Sequence, residues 1–189
     1  NTSFAAATTR VMALMKSLSR FRILSPLRHD KSIGVNSLNE LLIQHWHGVL
    51  HKLPDGTYIG QPIMITENDY NLNLYNGDMG VIFPWQNTPT AWFEDSNANG
   101  GLQAIPVSQL PAWETAWAMT VHKAQGAEFN RVLLLLPDEF KPILSRQLIY
   151  TALTRAKRMF CVLENEAIFK EAVNTSIQRF SGLVEKLKQ

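Results

Sequence analysis

Residues 131–137 read RVLLLLP, five apolar side chains in a row. An unbroken apolar run without in–out alternation suits a strand covered on both of its faces. Strands of that kind occur in parallel sheets, whose return connections are helices packed on the sheet. The neighbouring segments fit. RFRILSP (20–26), ETAWAMTV (114–121) and RMFCVL (158–163) read as further strands. Between them SLNELLIQHW (37–46) and SRQLIYTALTRAK (145–157) read as helices. Ser37 with Glu40 forms a capping-box pattern, and Ser145 is placed to cap the second helix. An N-terminal amphipathic helix is expected from Thr9 through Val11, Met12, Leu14, Met15 and Leu18. Two more are expected near 165–172 and 174–187, the last packing on the sheet through Phe180, Leu183, Val184 and Leu187.

The stretch from Leu53 to Pro111 has another character. It holds most of the prolines and glycines, with short apolar segments (YIGQPIMI, MGVIF, TAWFED, LQAIPV) between turn signals at PDG, NGD and NANGG. A small antiparallel barrel is expected there. The fold class is therefore α/β: residues 1–55 and 112–189 build a parallel-sheet domain, and 56–111 form an inserted β-barrel.

A 46% hydrophobic and 18% charged composition is that of an ordinary globular chain, and a net charge of +2 allows a local basic patch but demands no nucleic acid. No apolar run reaches the roughly 18 residues that span a bilayer. The single cysteine, Cys161, is expected to be a small buried side chain and fits a reducing compartment. His45, His47 and His51 have no cysteine or acid between them, so a surface cluster is expected rather than zinc, and no metal site is assigned.

Two polar runs interrupt the apolar strands and carry the chemistry. TVHKAQGAEF (120–129) follows a strand, and ligands of parallel sheets bind at the carboxyl ends of strands, so His122 to Glu128 are expected along that edge. Gly126 lets backbone turn close to a ligand, Glu128 accepts hydrogen bonds, and His122 and Lys123 suit phosphates or bases. YTALTRAKR (150–158) places Arg155 at a helix end, where a guanidinium can stabilise charge on a γ-phosphate.

In order, ILSPLRHDKSIGVNSLNELL, PIMITENDYNLNLYNGDMGVI, AWAMTVHKAQGAEF and LIYTALTRAKR resemble the C-terminal half of superfamily 1 DNA helicases, and most nearly the RecD family, the alpha subunit of bacterial exodeoxyribonuclease V. The resemblance implies a RecA-like domain 2A with an inserted SH3-like barrel, 2B. It implies that TVHKAQGAEF is the fifth helicase motif: His122, Thr120 and Lys123 toward single-stranded DNA, Gly126 and Glu128 toward nucleotide, Gln125 between the two. It makes Arg155, in the sixth motif, the γ-phosphate arginine and brings Arg28, in the fourth, near the phosphates. Asn68, Tyr70 and Asn76 would line the DNA path, although barrel packing is the expected role of Tyr70 and Trp92. ATP and Mg²⁺ in the full-length protein, RecB-like and RecC-like subunits, 5′-to-3′ travel and a bacterial cytoplasmic location are implied in the same way.

One departure is large. No G-x-x-x-x-G-K-[ST] occurs, so no phosphate-cradling loop is present. VLLLLPDEF (132–140) resembles a Mg²⁺-holding strand, but Pro137 intervenes and the run follows the fifth motif instead of preceding it. The chain is thus expected to be a motor-domain fragment, inactive as an ATPase by itself and binding no cofactor tightly. Two alternatives stay open: another superfamily 1 enzyme (stand-alone RecD-like or conjugative relaxase-helicase), or a non-catalytic interaction module.

Overall fold

The computed structural model describes residues 3–95 and 101–176, and its strands form two sheets. β1 (Phe21–Ser25), β7 (Ala118–Thr120), β8 (Phe129–Leu135) and β9 (Ala156–Leu163) pair in parallel, in the order β7-β1-β8-β9. β2 (Pro62–Ile65), β3 (Met79–Ile82), β4 (Thr90–Glu94), β5 (Leu102–Pro106) and β6 (Trp113–Thr115) pair antiparallel, in the order β5-β4-β3-β2-β6. The helices are α1 (Phe4–Leu18), α2 (Val35–Trp46), α3 (Arg146–Leu153) and α4 (Glu166–Asn174).

The run RVLLLL behaves as its composition demands. Val132 and Leu134 join a core with Leu148, Ile149, Ala152 and Ile168 from α3 and α4. Leu133 and Leu135 belong to the cluster around Leu38 of α2. Helices on both faces give this parallel-sheet α/β unit its RecA-like form.

The antiparallel sheet is also covered twice, because successive strand residues face opposite sides. Ile82 and Phe93 enter one core with Ile63, Ile65 and Ile105, while Val81 and Trp92 enter another with Ala7 and Val11 of α1. The strand order is that of an open sheet, and the described pairings include no ladder closing β5 onto β6.

Several local expectations are corrected. α1 begins at Phe4 under a Ser3 cap, whose hydroxyl accepts from the Ala6 N–H, because the alanines after Ser3 are strong helix formers; Thr9 lies inside and donates back to the Ala5 carbonyl. α2 begins at Val35, after Gly34, and Ser37 is helical, donating to the Asp30 carbonyl. ETAWAMTV divides between β6 and β7, which belong to different sheets. Cys161 is exposed, since β9 is an edge strand whose outer positions are uncovered. Ser145 caps α3 as expected, accepting from the Leu148 N–H. The expected terminal helix, with Phe180, Leu183, Val184 and Leu187, falls outside the described residues.

Candidate functional site: one polar run joining two edges of a sheet

β1 and β7 end side by side, with Ser25 opposite Thr120. β8 begins at the other edge, with Arg131 opposite Phe21. Residues 121–128 therefore descend from the carboxyl edge to the amino edge, about 20 Å at the usual rise of a strand. This corrects the expectation that His122 to Glu128 all lie along the carboxyl edge. Turn bonds fold the run: Ala124 N–H to the Thr120 carbonyl, Gln125 to His122, Ala127 to Ala124. Gly126 takes φ +86°, where a side chain is strained, yet a Cβ there would meet nothing within 4 Å, so backbone freedom alone requires glycine.

At the carboxyl edge stand Thr120, His122, Lys123 and Arg28. His122 is exposed, and Thr120 Oγ1 accepts from the Lys123 N–H. Arg28 Nη2 and Lys123 Nζ each lie 2.7 Å from a different oxygen of Glu114, on β6. Sequence reading passed over Glu114, which sits between two tryptophans in WETAW; its only signal was a charged residue within a half-buried strand.

At the amino edge the structure brings Glu128 and Arg155 onto one rim. Arg155 Nη1 donates to the Ala127 carbonyl at 3.0 Å, Nε to the Thr151 carbonyl at 3.3 Å and Nη2 to Thr154 Oγ1 at 3.2 Å. The Phe129 N–H in turn donates to the Arg155 carbonyl. The guanidinium thus rests on neutral oxygens while being only partly covered. Arg28 is not brought to this rim; it and Arg155 stand at opposite ends of the strands. Gln125 is exposed on the connecting run.

Lys157, unassigned from sequence, lies 2.9 Å from Glu128 Oε2. Its hydrogen bond, then its charge, with the charge of Arg155 added, holds the Glu128 carboxyl below the ordinary 4.5. A depressed carboxylate pKa means the ion pair's contribution to stability is present above the ordinary value and lost as pH falls through the lowered one. In a side-chain NMR titration, Lys157→Ala is expected to move the Glu128 midpoint up toward 4.5. A midpoint that stays put rules the pairing out.

The third group of residues belongs to the loop between β2 and β3. Asn68 Oδ1 accepts from the Asn76 N–H at 2.8 Å, closing the loop. Tyr70 is 74% exposed and meets Tyr75, itself half exposed, edge to face with ring centroids 6.1 Å apart. Packing is thus overturned for Tyr70, whereas Trp92 is fully buried, under α1 on one face of the antiparallel sheet. Tyr75 went unassigned in the sequence. Among the described residues no group of three or more His, Cys, Asp or Glu side chains could hold a metal, and no helix is long and apolar enough to cross a membrane.

Known proteins resemble this chain in sequence and fold. The sequence pattern of the UvrD-like helicase C-terminal domain matches residues 115–162, from the end of β6 through β9. The RecBCD enzyme subunit RecD of Haemophilus influenzae is 37% identical over 179 residues, 93% of this chain and 26% of the relative. The chain is a RecD homologue, matching the C-terminal part of that family. The RecD subunit of Mycobacterium tuberculosis gives 37% identity over 92% of the chain, with 30% of the relative covered. The ATP-dependent RecD2 DNA helicase of Deinococcus radiodurans gives 30% over 88%, with 23% covered. This RecD homologue therefore spans only 23% to 30% of these relatives' length. In fold it resembles the Pif1 helicase of Candida albicans, with a TM-score of 0.55 at 16% identity, over all of this chain and 55% of that one.

Proposed function

We propose that this RecD homologue is the second motor domain of an ATP-dependent 5′-to-3′ DNA helicase, with the parallel-sheet unit as domain 2A and the antiparallel unit as an SH3-like 2B. The observation that carries the reading is the 120–128 run, which ties a cationic, exposed edge to a glutamate–arginine rim about 20 Å away. At the first edge Thr120, His122 and Lys123 face single-stranded DNA, and the Asn68, Tyr70 and Asn76 loop continues the path. At the second, Glu128, Gly126 and Arg155 face ATP. Gln125 lies between them.

The residues present fit half of a nucleotide site. Arg155 offers a guanidinium bonded to neutral oxygens, suited to an anion, while the chain carries no phosphate-cradling loop. Mg·ATP held by another part of the full-length protein supplies the phosphoanhydride whose cleavage drives movement. Arg155 orients toward its terminal phosphate and Glu128 accepts hydrogen bonds near it. Assembly with RecB-like and RecC-like subunits, and a role in processing DNA ends, follow from the same reading.

Tyr70 supplies the test. An exposed aromatic stacked on a base contributes ~1–3 kcal/mol, so Tyr70→Ala in the full-length protein is expected to weaken oligothymidine binding by about 5- to 150-fold. Anisotropy titrations that show equal affinity would remove this loop from the DNA path.

A further inference from the structure

Lys123, which the helicase reading turns toward DNA, shares a cluster with Arg28 and Glu114, to which that reading gives no part. One carboxylate, four-fifths shielded from solvent, divides its two oxygens between cations arriving from two different loops. Arg28 follows β1 and Lys123 follows β7, neighbouring strands of the parallel sheet, whereas Glu114 comes from β6 of the other sheet. The two 2.7 Å contacts are charge-assisted bonds, and bonds to a phosphate would use the same donors in similar geometry. Half of the Arg28 side chain remains open to solvent, and the exposed His122 stands next to Lys123.

We propose that Glu114 is a positioning residue: its carboxylate occupies the place of a backbone phosphate, holds Arg28 and Lys123 together at the DNA-facing edge, and yields them when single-stranded DNA arrives. The proposal rests on the helicase reading of that edge. It assigns Arg28 to nucleic acid rather than to nucleotide, in keeping with its distance from the Arg155 rim. With Glu114 present the cluster carries a net charge of +1, and the DNA exchanges one ion pair for another.

The experiment measures oligothymidine binding by the full-length protein across salt. The fall of log K with log salt steepens by ~0.7 for each further phosphate neutralised on a single strand. Glu114→Gln raises the cluster to +2, so its slope is expected to steepen by about 0.7, giving roughly fivefold tighter binding at 0.1 M salt. Adding Lys123→Gln to it should return the slope to the wild-type value. Glu166→Gln makes the same charge change at the Glu166–Lys170 pair on α4, which follows β9 at the opposite side of the sheet from β7, and should leave the slope alone.

A Glu114→Gln slope equal to wild type overturns the proposal. So does an equal change in Glu166→Gln, or a gain seen with Mg·ADP in place of oligothymidine. Should Glu114→Gln not fold, Lys123→Gln decides: its cluster is neutral, and a slope not shallower by about 0.7 is fatal. Wild-type binding with unaltered variant slopes sinks this inference alone, whereas no DNA binding by any form sinks the helicase reading with it.

Discussion

Arg155→Ala in the full-length protein is expected to lower DNA-stimulated ATP hydrolysis by ~10³–10⁵-fold, the range associated with loss of a γ-phosphate arginine. Oligothymidine affinity should change little, because the guanidinium belongs to the amino edge and the residues proposed to face DNA belong to the carboxyl edge. Steady-state hydrolysis and anisotropy on one preparation separate the two effects. Arg155→Lys should recover little. The Ala127 carbonyl, the Thr151 carbonyl and Thr154 Oγ1 engage three different nitrogens of a planar group, and a single ammonium cannot meet all three while still presenting a donor outward. The 189-residue chain by itself is expected to hydrolyse no ATP. Activity in that chain, abolished by Arg155→Ala, would overturn the half-site reading; near-normal turnover in full-length Arg155→Ala would remove Arg155 from the reaction.

Trp92→Ala should destabilise the fold by ~3–5 kcal/mol, the usual cost of truncating a buried tryptophan to alanine. Trp92 is fully buried between α1 and the antiparallel sheet, in a cluster with Ala7, Val11, Val81 and Leu102. Its Nε1 donates to the Phe83 carbonyl at 2.8 Å, and the rings of Phe4 and Trp85 lie 5.6 Å and 6.2 Å away. Truncation opens a cavity, removes a buried donor and undocks the helix in one change. Trp92→Phe keeps an aromatic ring but leaves the Phe83 carbonyl short of a partner, so an intermediate loss of ~1–3 kcal/mol is expected. Urea unfolding monitored by circular dichroism gives both values. A shift below about 1 kcal/mol for the alanine variant would mean that α1 contributes little to this core.

The parallel sheet was legible because covering a strand on both faces leaves a local trace: RVLLLLP needs no partner in sequence to betray two apolar surroundings. The short strands of the middle region were legible for a different reason, since turn residues bound them tightly. What stayed hidden depends on neighbours distant in the chain. Cys161 sits in an apolar stretch, yet half of that stretch lies on an uncovered edge, which composition does not encode. Ser37 and Thr9 fit capping patterns, but Gly34 and Ser3 lie upstream of them. Alanines extend α1, while the first N–H groups of α2, on Val35 and Asn36, are taken by the Leu27 and Arg28 carbonyls of the preceding loop. Glu114 and Lys157 are paired with Arg28, Lys123 and Glu128 only through the fold, because an ion pair leaves no periodicity in sequence. Glu128 and Arg155 were expected together and share a rim, whereas Arg28 was drawn toward them by resemblance and stands at the far end of the strands.

The passage between the two sheets has a mechanical consequence. Only Ala116 and Trp117 separate β6 from β7. Asn39 Nδ2 donates to the Thr115 and Ala118 carbonyls while its Oδ1 accepts from the Ala118 N–H. Gln61 grips the Thr115 hydroxyl, and Arg22, its pKa lowered to about 10 by burial, donates to the Ala116 carbonyl beneath the Phe129 ring. A joint so heavily riveted leaves little room for independent swivelling at this crossing. Under the proposed function, torque applied at the Glu128–Arg155 rim would therefore swing both sheets as one lever, delivering displacement to the far edge instead of dissipating it in a hinge.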